Sequence, residues 1–218
     1  MVAQITDGTA FDKRGRPFRR RYYPPAILLF IVLAVVTMLV WVMALNQPVD
    51  VHEAAACNAP PPAADPTAPA SQLGEQLTRS TMTEVTPAKL ADTKIRVLNA
   101  SGQGGQAAEV AGELRDLGYA EPAAANDTVY VNTRLECQGQ IRFGPSGRAA
   151  AAAVWLVAPC TELFQDQRSD ATVDLAIGTE FTELTHSDDI DAVLASLRPD
   201  ATQAADPALL KEIHTAAC

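Results

Sequence analysis

Hydrophobic and polar residues follow three different patterns along the chain. From Ala26 to Leu45 (AILLFIVLAVVTMLVWVMAL) 20 positions pass without a charge, a proline or a glycine. At 1.5 Å rise per residue such a helix is about 30 Å long, the thickness of a bilayer's hydrocarbon core, so the run predicts one transmembrane helix. A buried core helix is rarely apolar on every side, and a cleaved signal peptide has a shorter apolar region of about 7 to 15 residues. The string Ala54-Ala55-Ala56-Cys57 looks like a processing or lipid-attachment site. It lies beyond Asp50 and Glu53 and too far from the apolar run to act as one.

The second pattern, over residues 46–92, has no apolar period. Pro60, Pro61, Pro62, Pro66 and Pro69 fall among Ala, Asp and Thr, a composition that cannot build a core and predicts an extended, partly polyproline tether. Leu73, Leu77 and Val85 allow a short helix or two before the folded part.

The third pattern, over residues 93–185, alternates strand and helix periods. Ile95–Asn99 reads as a strand, Ser101–Gly105 as a glycine turn, and Ala107, Val110, Ala111, Leu114 and Leu117 as one helical face stopped by Gly118. The sequence then repeats itself. Gln140–Phe143 is a strand, Pro145-Ser146-Gly147 a turn with Ser146 as N-cap, and Arg148–Ala158 a helix with five consecutive alanines. Both copies carry an Ile-Arg pair and a Ser-Gly step. With strands at Thr128–Val131 and Thr172–Ile177, the expected fold is α+β: a ferredoxin-like βαββαβ module, four antiparallel strands with helices on one face. In the tail, 186–218, Ser187 or Asp188 caps a helix with Ile190, Val193, Leu194 and Leu197 in one stripe. A second helix starts at Asp206-Pro207, and both are expected to dock on the domain itself.

Charge sharpens this layout. Residues 1–25 hold six basic residues, Lys13, Arg14, Arg16, Arg19, Arg20 and Arg21, against Asp7 and Asp12, a net of +4; the chain's net charge is −9, so the remainder carries −9 − 4 = −13. No basic residue follows the span until Arg79, so the positive-inside bias predicts a cytoplasmic basic tail (1–25) and an extracytoplasmic C-terminal domain. Tyr22, Tyr23 and Trp41 sit near the span's ends, at headgroup level. An acidic body disfavours nucleic acid as a partner. All four cysteines, Cys57, Cys137, Cys160 and Cys218, follow the span, which predicts two disulfides formed in an oxidising compartment. A helix running back along its strand would bring Cys160 to Cys137; Cys57 and Cys218 would pair by exclusion, within a chain or between two chains of a homodimer. The other pairings stay open. No C-x-x-C pair occurs and His52, His186 and His214 are scattered, so no metal is expected.

Candidate chemistry is sparse. Gly102-x-Gly104-x-x-Ala107 after a strand, with Glu121 beyond, outlines a dinucleotide fingerprint, but hairpin-linked antiparallel strands would not build a Rossmann unit, and no cofactor is expected. Asn99-Ala100-Ser101 matches a glycosylation tripeptide, a weak signal. No nucleophile motif such as G-x-S-x-G is present, and Asp188, Asp189 and Asp191 sit at a helix start, where the dipole favours them. What remains are two turns with exposed backbone N–H groups as ligand or partner loops: Asn99, Ser101, Gly102 and Gly104 in the first, Ser146 and Gly147 in the second. Polyanion binding would require a basic patch from Arg96, Arg142 and Arg148.

Ile95–Asn99 with Ser101-Gly102, Leu117-Gly118-Tyr119, the strand at Ile141, and Val173 to Phe181 with Ile177-Gly178-x-x-Phe181 together resemble a LytR C-terminal domain over about 90 residues. Gln106 departs from the leucine the family often has there. Such domains often follow the catalytic domain of LytR-CpsA-Psr cell-wall ligases; here only a span and a tether precede the module. That layout, with the opening Met1–Thr6 and Phe11-Asp12-Lys13, is similar to actinobacterial envelope-integrity proteins. The resemblance implies a non-catalytic module that supports envelope integrity by binding an envelope-assembly protein or a cell-wall polymer. The alternatives are a glycan-binding module resembling SPOR domains, which use the open sheet face, or an accessory subunit of a cell-wall ligase.

Overall fold

The computed structural model describes Arg14, residues 24–45, 56–62 and 73–215, with the side chains of Ile27–Trp41 described within the first helix. The expectations for the basic tail, the side chains of Ala26 and Leu45, most of the tether, and Cys218 lie outside the described residues. The chain divides into two units, residues 1–50 and 51–218.

The first unit contains α1, Pro24–Leu45, a 22-residue helix. Its large apolar side chains from Ile27 to Trp41 are exposed. Counting only described residues, no helix is long and apolar enough to cross a membrane; the run read from the sequence extends past them at both ends.

The second unit is built on one six-stranded mixed sheet, in place of the four antiparallel strands expected. Its strands are β1 (Glu75–Leu77), β2 (Lys94–Asn99), β3 (Ala120–Asn126), β4 (Gly139–Phe143), β5 (Glu162–Gln165) and β6 (Val173–Ile177), in the spatial order β1-β5-β4-β6-β2-β3. Two strand–helix–strand crossovers make it. β2 passes through α3 (Gln106–Leu117) to β3, its parallel neighbour, and β4 passes through α4 (Arg148–Trp155) to β5, likewise parallel. β6 lies between the two crossovers, parallel to β2 and antiparallel to β4, and β1 closes the far edge antiparallel to β5. The repeat in the sequence is therefore real, but each helix returns the chain beside its own strand. The two crossovers run in opposite directions, unlike the two same-direction halves of a dinucleotide-binding sheet.

Three strands escape the pattern reading, each for a physical reason. β1, in the stretch expected to form a short helix, has only three residues, too few to leave a period. β3, with the sequence AEPAAAN, is an edge strand with most of its residues exposed, so it needs no apolar alternation and tolerates Pro122. β5 has four residues. The strand expected at Thr128–Val131 is a turn, because the Asp127 carboxylate accepts the N–H groups of Val129 (2.6 Å) and Tyr130 (2.8 Å) and bends the chain back. Ser146 caps nothing: Pro145–Gly147 is a single 3₁₀ turn, and Gly147 is the N-cap of α4 without a side-chain bond.

The helix side of the sheet holds the core. Ile95, Val97, Ile141, Phe143, Leu163, Val173, Leu175 and Ile177 meet α3 and α4 there. Every residue of α4 from Ala150 to Trp155 is buried, which its small alanine surfaces permit. The tail covers part of this layer. α5 (Asp188–Ser196), capped by Ser187 through the Ile190 N–H, buries Ile190, Val193 and Leu194, and α6 (Pro207–Thr215) buries Leu210, Ile213 and His214. The stretch before β2 also belongs to the fold: α2 (Arg79–Thr83) buries Met82, Leu90 is fully buried, and the Leu90 N–H donates to Leu197.

Candidate functional site

β2, β3 and β6 end where β4 and β5 begin, and the loops at that end carry a dense network of polar contacts. The turn after β2 folds around two side chains. Asn99 Oδ1 accepts the Gly102 N–H (3.1 Å) while Asn99 Nδ2 donates to the Gln103 carbonyl (2.6 Å). Ser101 is buried; its Oγ donates to Gln106 Oε1 at 2.6 Å and accepts the Gln103 N–H. Gln106 Nε2 in turn donates to the Phe181 carbonyl at 3.0 Å. The residue that departs from the family's leucine thus ties α3 to the Ile177-Gly178-x-x-Phe181 step. Gly178 is required by close approach, since a Cβ there would lie 2.1 Å from the Cys137 carbonyl oxygen.

Opposite this turn lies the segment 127–138, laid on the sheet face away from the helices. Its anchor is a buried ion pair: Arg142 Nη1 donates to Asp127 Oδ2 at 2.7 Å, with side-chain exposures of 6% and 0%. The guanidinium also bonds Gln140 Oε1 (2.9 and 3.2 Å) and lies 5.7 Å from the centre of the Tyr130 ring. Burial pushes the Tyr130 phenol above its ordinary pKa, against the lowering effect of Gln140 and Arg142. Leu98, Ala100, Leu135 and Ala176 complete a small apolar cluster under this segment.

The tether enters the same face. Cys57 is disulfide-bonded to Cys137, S–S 1.92 Å, so the expected Cys137–Cys160 and Cys57–Cys218 pairings are corrected. Cys57 N–H donates to Glu162 Oε1 on β5, Asn58 Nδ2 donates to the Arg134 carbonyl, Asn58 Oδ1 accepts the Glu136 N–H, and Tyr130 Oη donates to the Asn58 carbonyl. The reason for the error is the direction of approach. Cys137 points to the face opposite the helices, whereas Cys160 follows α4 on the other side and lines a separate cavity of about 350 Å³ with Gln138 and residues 181–186.

Between the β2 turn and the 127–134 segment runs a groove of about 670 Å³. Of the loop residues singled out from sequence, Asn99, Gly102 and Gly104 line it, and Ser101 braces it from beneath. Ser146 and Gly147 are not brought there; they sit past the end of β4, where a Cβ on Gly147 would be 3.3 Å from the Ala171 carbonyl oxygen. Sequence reasoning missed Asn126, Asp127, Thr128 and Asn132–Arg134, which line the other wall. The dense polar run Asn126-Asp127-Thr128 directly after an alanine stretch was the available signal. The three arginines considered for a basic patch are engaged separately. Arg96 makes a two-pronged pair with Asp174 (2.7 and 2.9 Å), Arg142 is buried, and Arg148 donates to the Thr81 carbonyl. Asp174 also holds Arg168 (2.7 Å). Among the described residues no cluster of His, Cys, Asp and Glu is disposed to hold a metal ion.

Three comparisons bear on this architecture. The family model for the LytR cell envelope-related transcriptional attenuator matches residues 92–181. The chain is 64% identical over 218 residues, the full length of both, to the cell envelope integrity protein Cei of Mycobacterium tuberculosis. The structure is similar to the crystal structure of the soluble domain (residues 71–217) of a conserved hypothetical secreted protein from Mycobacterium marinum, with 67% identity and a TM-score of 0.67, covering 67% of this chain and 99% of that one.

Proposed function

The chain belongs to the Cei family of cell envelope integrity proteins, with a LytR C-terminal domain at its centre, and from that premise we propose that it is a single-pass membrane protein whose folded unit works outside the cytoplasm without catalysing a reaction. α1 crosses the bilayer, the basic residues before it hold the N-terminus inside, and the second unit holds an envelope component, an assembly protein or a wall polymer, in place. The apolar run of residues 26–45, the charge step across it and a disulfide suited to an oxidising compartment support the topology. The secreted relative from Mycobacterium marinum is consistent with it.

The observation that carries the binding role is the rigid groove at the loop end of the sheet, walled by the glycine turn and by the segment pinned through Asp127 and Arg142. We assign the contact to this end and not to the open sheet face that SPOR-like modules use, because Cys57, Asn58 and Tyr130 lie over that face and Arg142 is buried beneath them. Two experiments test the proposal. A phosphatase that is active only outside the cytoplasm, fused after Cys218, should be active, and an inactive fusion would refute the topology. Crosslinkers placed at Thr128 and Asn132 in cells should capture an envelope component, whereas equal capture from Glu75 at the other end of the sheet would remove the groove from the argument.

A further inference from the structure

Both walls of the groove are held in one geometry, while side chains along them are left unengaged. A buried ion pair such as Asp127–Arg142 adds little net stability over an apolar pair, because desolvation offsets the Coulombic gain; what it supplies is one geometry. The disulfide at Cys137 and the clasp of Asn58 on residues 134 and 136 fix the same segment again. On the opposite wall Gly102 has φ +78°, and a Cβ there would lie 3.2 Å from Arg134 Nε, so the turn is shaped to admit that guanidinium.

Among the described residues, the side chains of Asn126, Asn132 and Arg134 make no hydrogen bond to protein, although all three line the groove. Val131, at the rim, is 67% exposed and is the one exposed large apolar side chain outside α1 in the described residues. Amides donate and accept at once, which suits pairs of neighbouring hydroxyls, and an aliphatic rim suits the C–H face of a sugar ring. Charge argues against an anionic chain: Asp127 and Arg142 neutralise each other, Arg134 is the remaining cation, and the protein as a whole carries −9. A groove of about 670 Å³ is the size of a site for a few sugar units.

We propose that the groove binds a neutral glycan segment, hydroxyl-rich and free of phosphate, with Asn126, Asn132 and Arg134 as its hydrogen-bonding residues and Val131 against a ring face. This rests on the polymer-holding role proposed above and gives it a ligand class. The test is titration of the full-length protein in detergent micelles with neutral tetrasaccharides of glucose, galactose, arabinose and N-acetylglucosamine, with polyphosphate as the anionic control. At least one neutral tetrasaccharide should bind saturably, and the pair N126A/N132A should weaken it tenfold or more at an unchanged melting temperature. E75Q, at the other end of the sheet, should not weaken it. No saturable binding to any of the sugars, binding of polyphosphate alone, or undiminished binding by N126A/N132A would each overturn the site. Correction of an envelope defect by a wild-type protein that binds no sugar would sink the site and leave the envelope role. Sugar binding with no envelope defect on deletion would do the reverse.

Discussion

The two strand–helix–strand units begin from nearly the same words and end in different circumstances. Arg96 in β2 and Arg142 in β4 both follow an isoleucine and both point away from the helices, and Asp174 on β6 is in register with each. Arg96 takes that aspartate and remains half exposed, at 52%. Arg142 turns instead to Asp127 and is buried. Ser101 is buried and organises its turn, while Ser146 is exposed and organises nothing. α3 keeps an outer face in water, but α4 is buried from Ala150 to Trp155 because further chain packs around it. A duplicated pattern therefore sets the scaffold, and what is laid over each copy sets its role.

The comparison can be broken most forcefully at the arginines. Arg142→Met strands the buried Asp127 charge and should cost about 3–5 kcal/mol. Arg96→Met, at the half-exposed pair, should cost about 1 kcal/mol or less. Equal losses in denaturant melts would refute the distinction. Next comes the disulfide. Cys57→Ser opens a loop closed over a separation of 80 residues and should lower stability by about 4 kcal/mol in the chain-entropy picture, and non-reducing peptide mapping of the wild type should recover Cys57 joined to Cys137.

The third test concerns the cover on α4. His214 of α6 stacks on Trp155 of α4, centroids 4.0 Å apart at 19°, and its ring nitrogens have no hydrogen-bond partner among the described residues. Burial, aided by Arg79, lowers its pKa from 6.5 to about 4. A depressed value means that the unfolded chain takes up the proton first. Stability should be complete above pH 6.5 and fall by on the order of 2 kcal/mol as pH drops towards 4. His214→Phe should flatten that segment of the profile; a wild-type-like slope in the variant would assign the dependence elsewhere. The smallest contrast is between the serines. Ser101→Ala leaves Gln106 and the Gln103 N–H short of a partner and should cost about 1–2 kcal/mol, while Ser146→Ala should stay within about 0.5 kcal/mol in the same melts.

These contrasts also mark what the sequence could disclose. The period of three and four at Ala107, Val110, Ala111 and Leu114, and the stripe at Ile190, Val193 and Leu194, gave helices whose named residues are buried, because burial on one face leaves a period. Ala120–Asn126 left none, since an edge strand is exposed on most of its length. The order of strands was illegible for a different reason: whether a helix returns the chain beside its strand or one place further is decided by contacts among distant residues. Half of the site was visible, since glycines at 102 and 104 announce a turn. The other half was not, because the meaning of Asp127 depends on Arg142, which is distant in sequence and meets it only after the sheet has formed.

The bond from Cys57 to Cys137 also has a practical reach. Cys57 lies upstream of residue 92, where the family match begins, so a recombinant piece trimmed to that match keeps Cys137 and discards its mate. Such a piece would have a reactive thiol where the longer chain has a staple, and Tyr130 would lose Asn58 as its acceptor. Assays on excised material should therefore start from cloned boundaries ahead of residue 56, or they will measure a loosened version of the cleft.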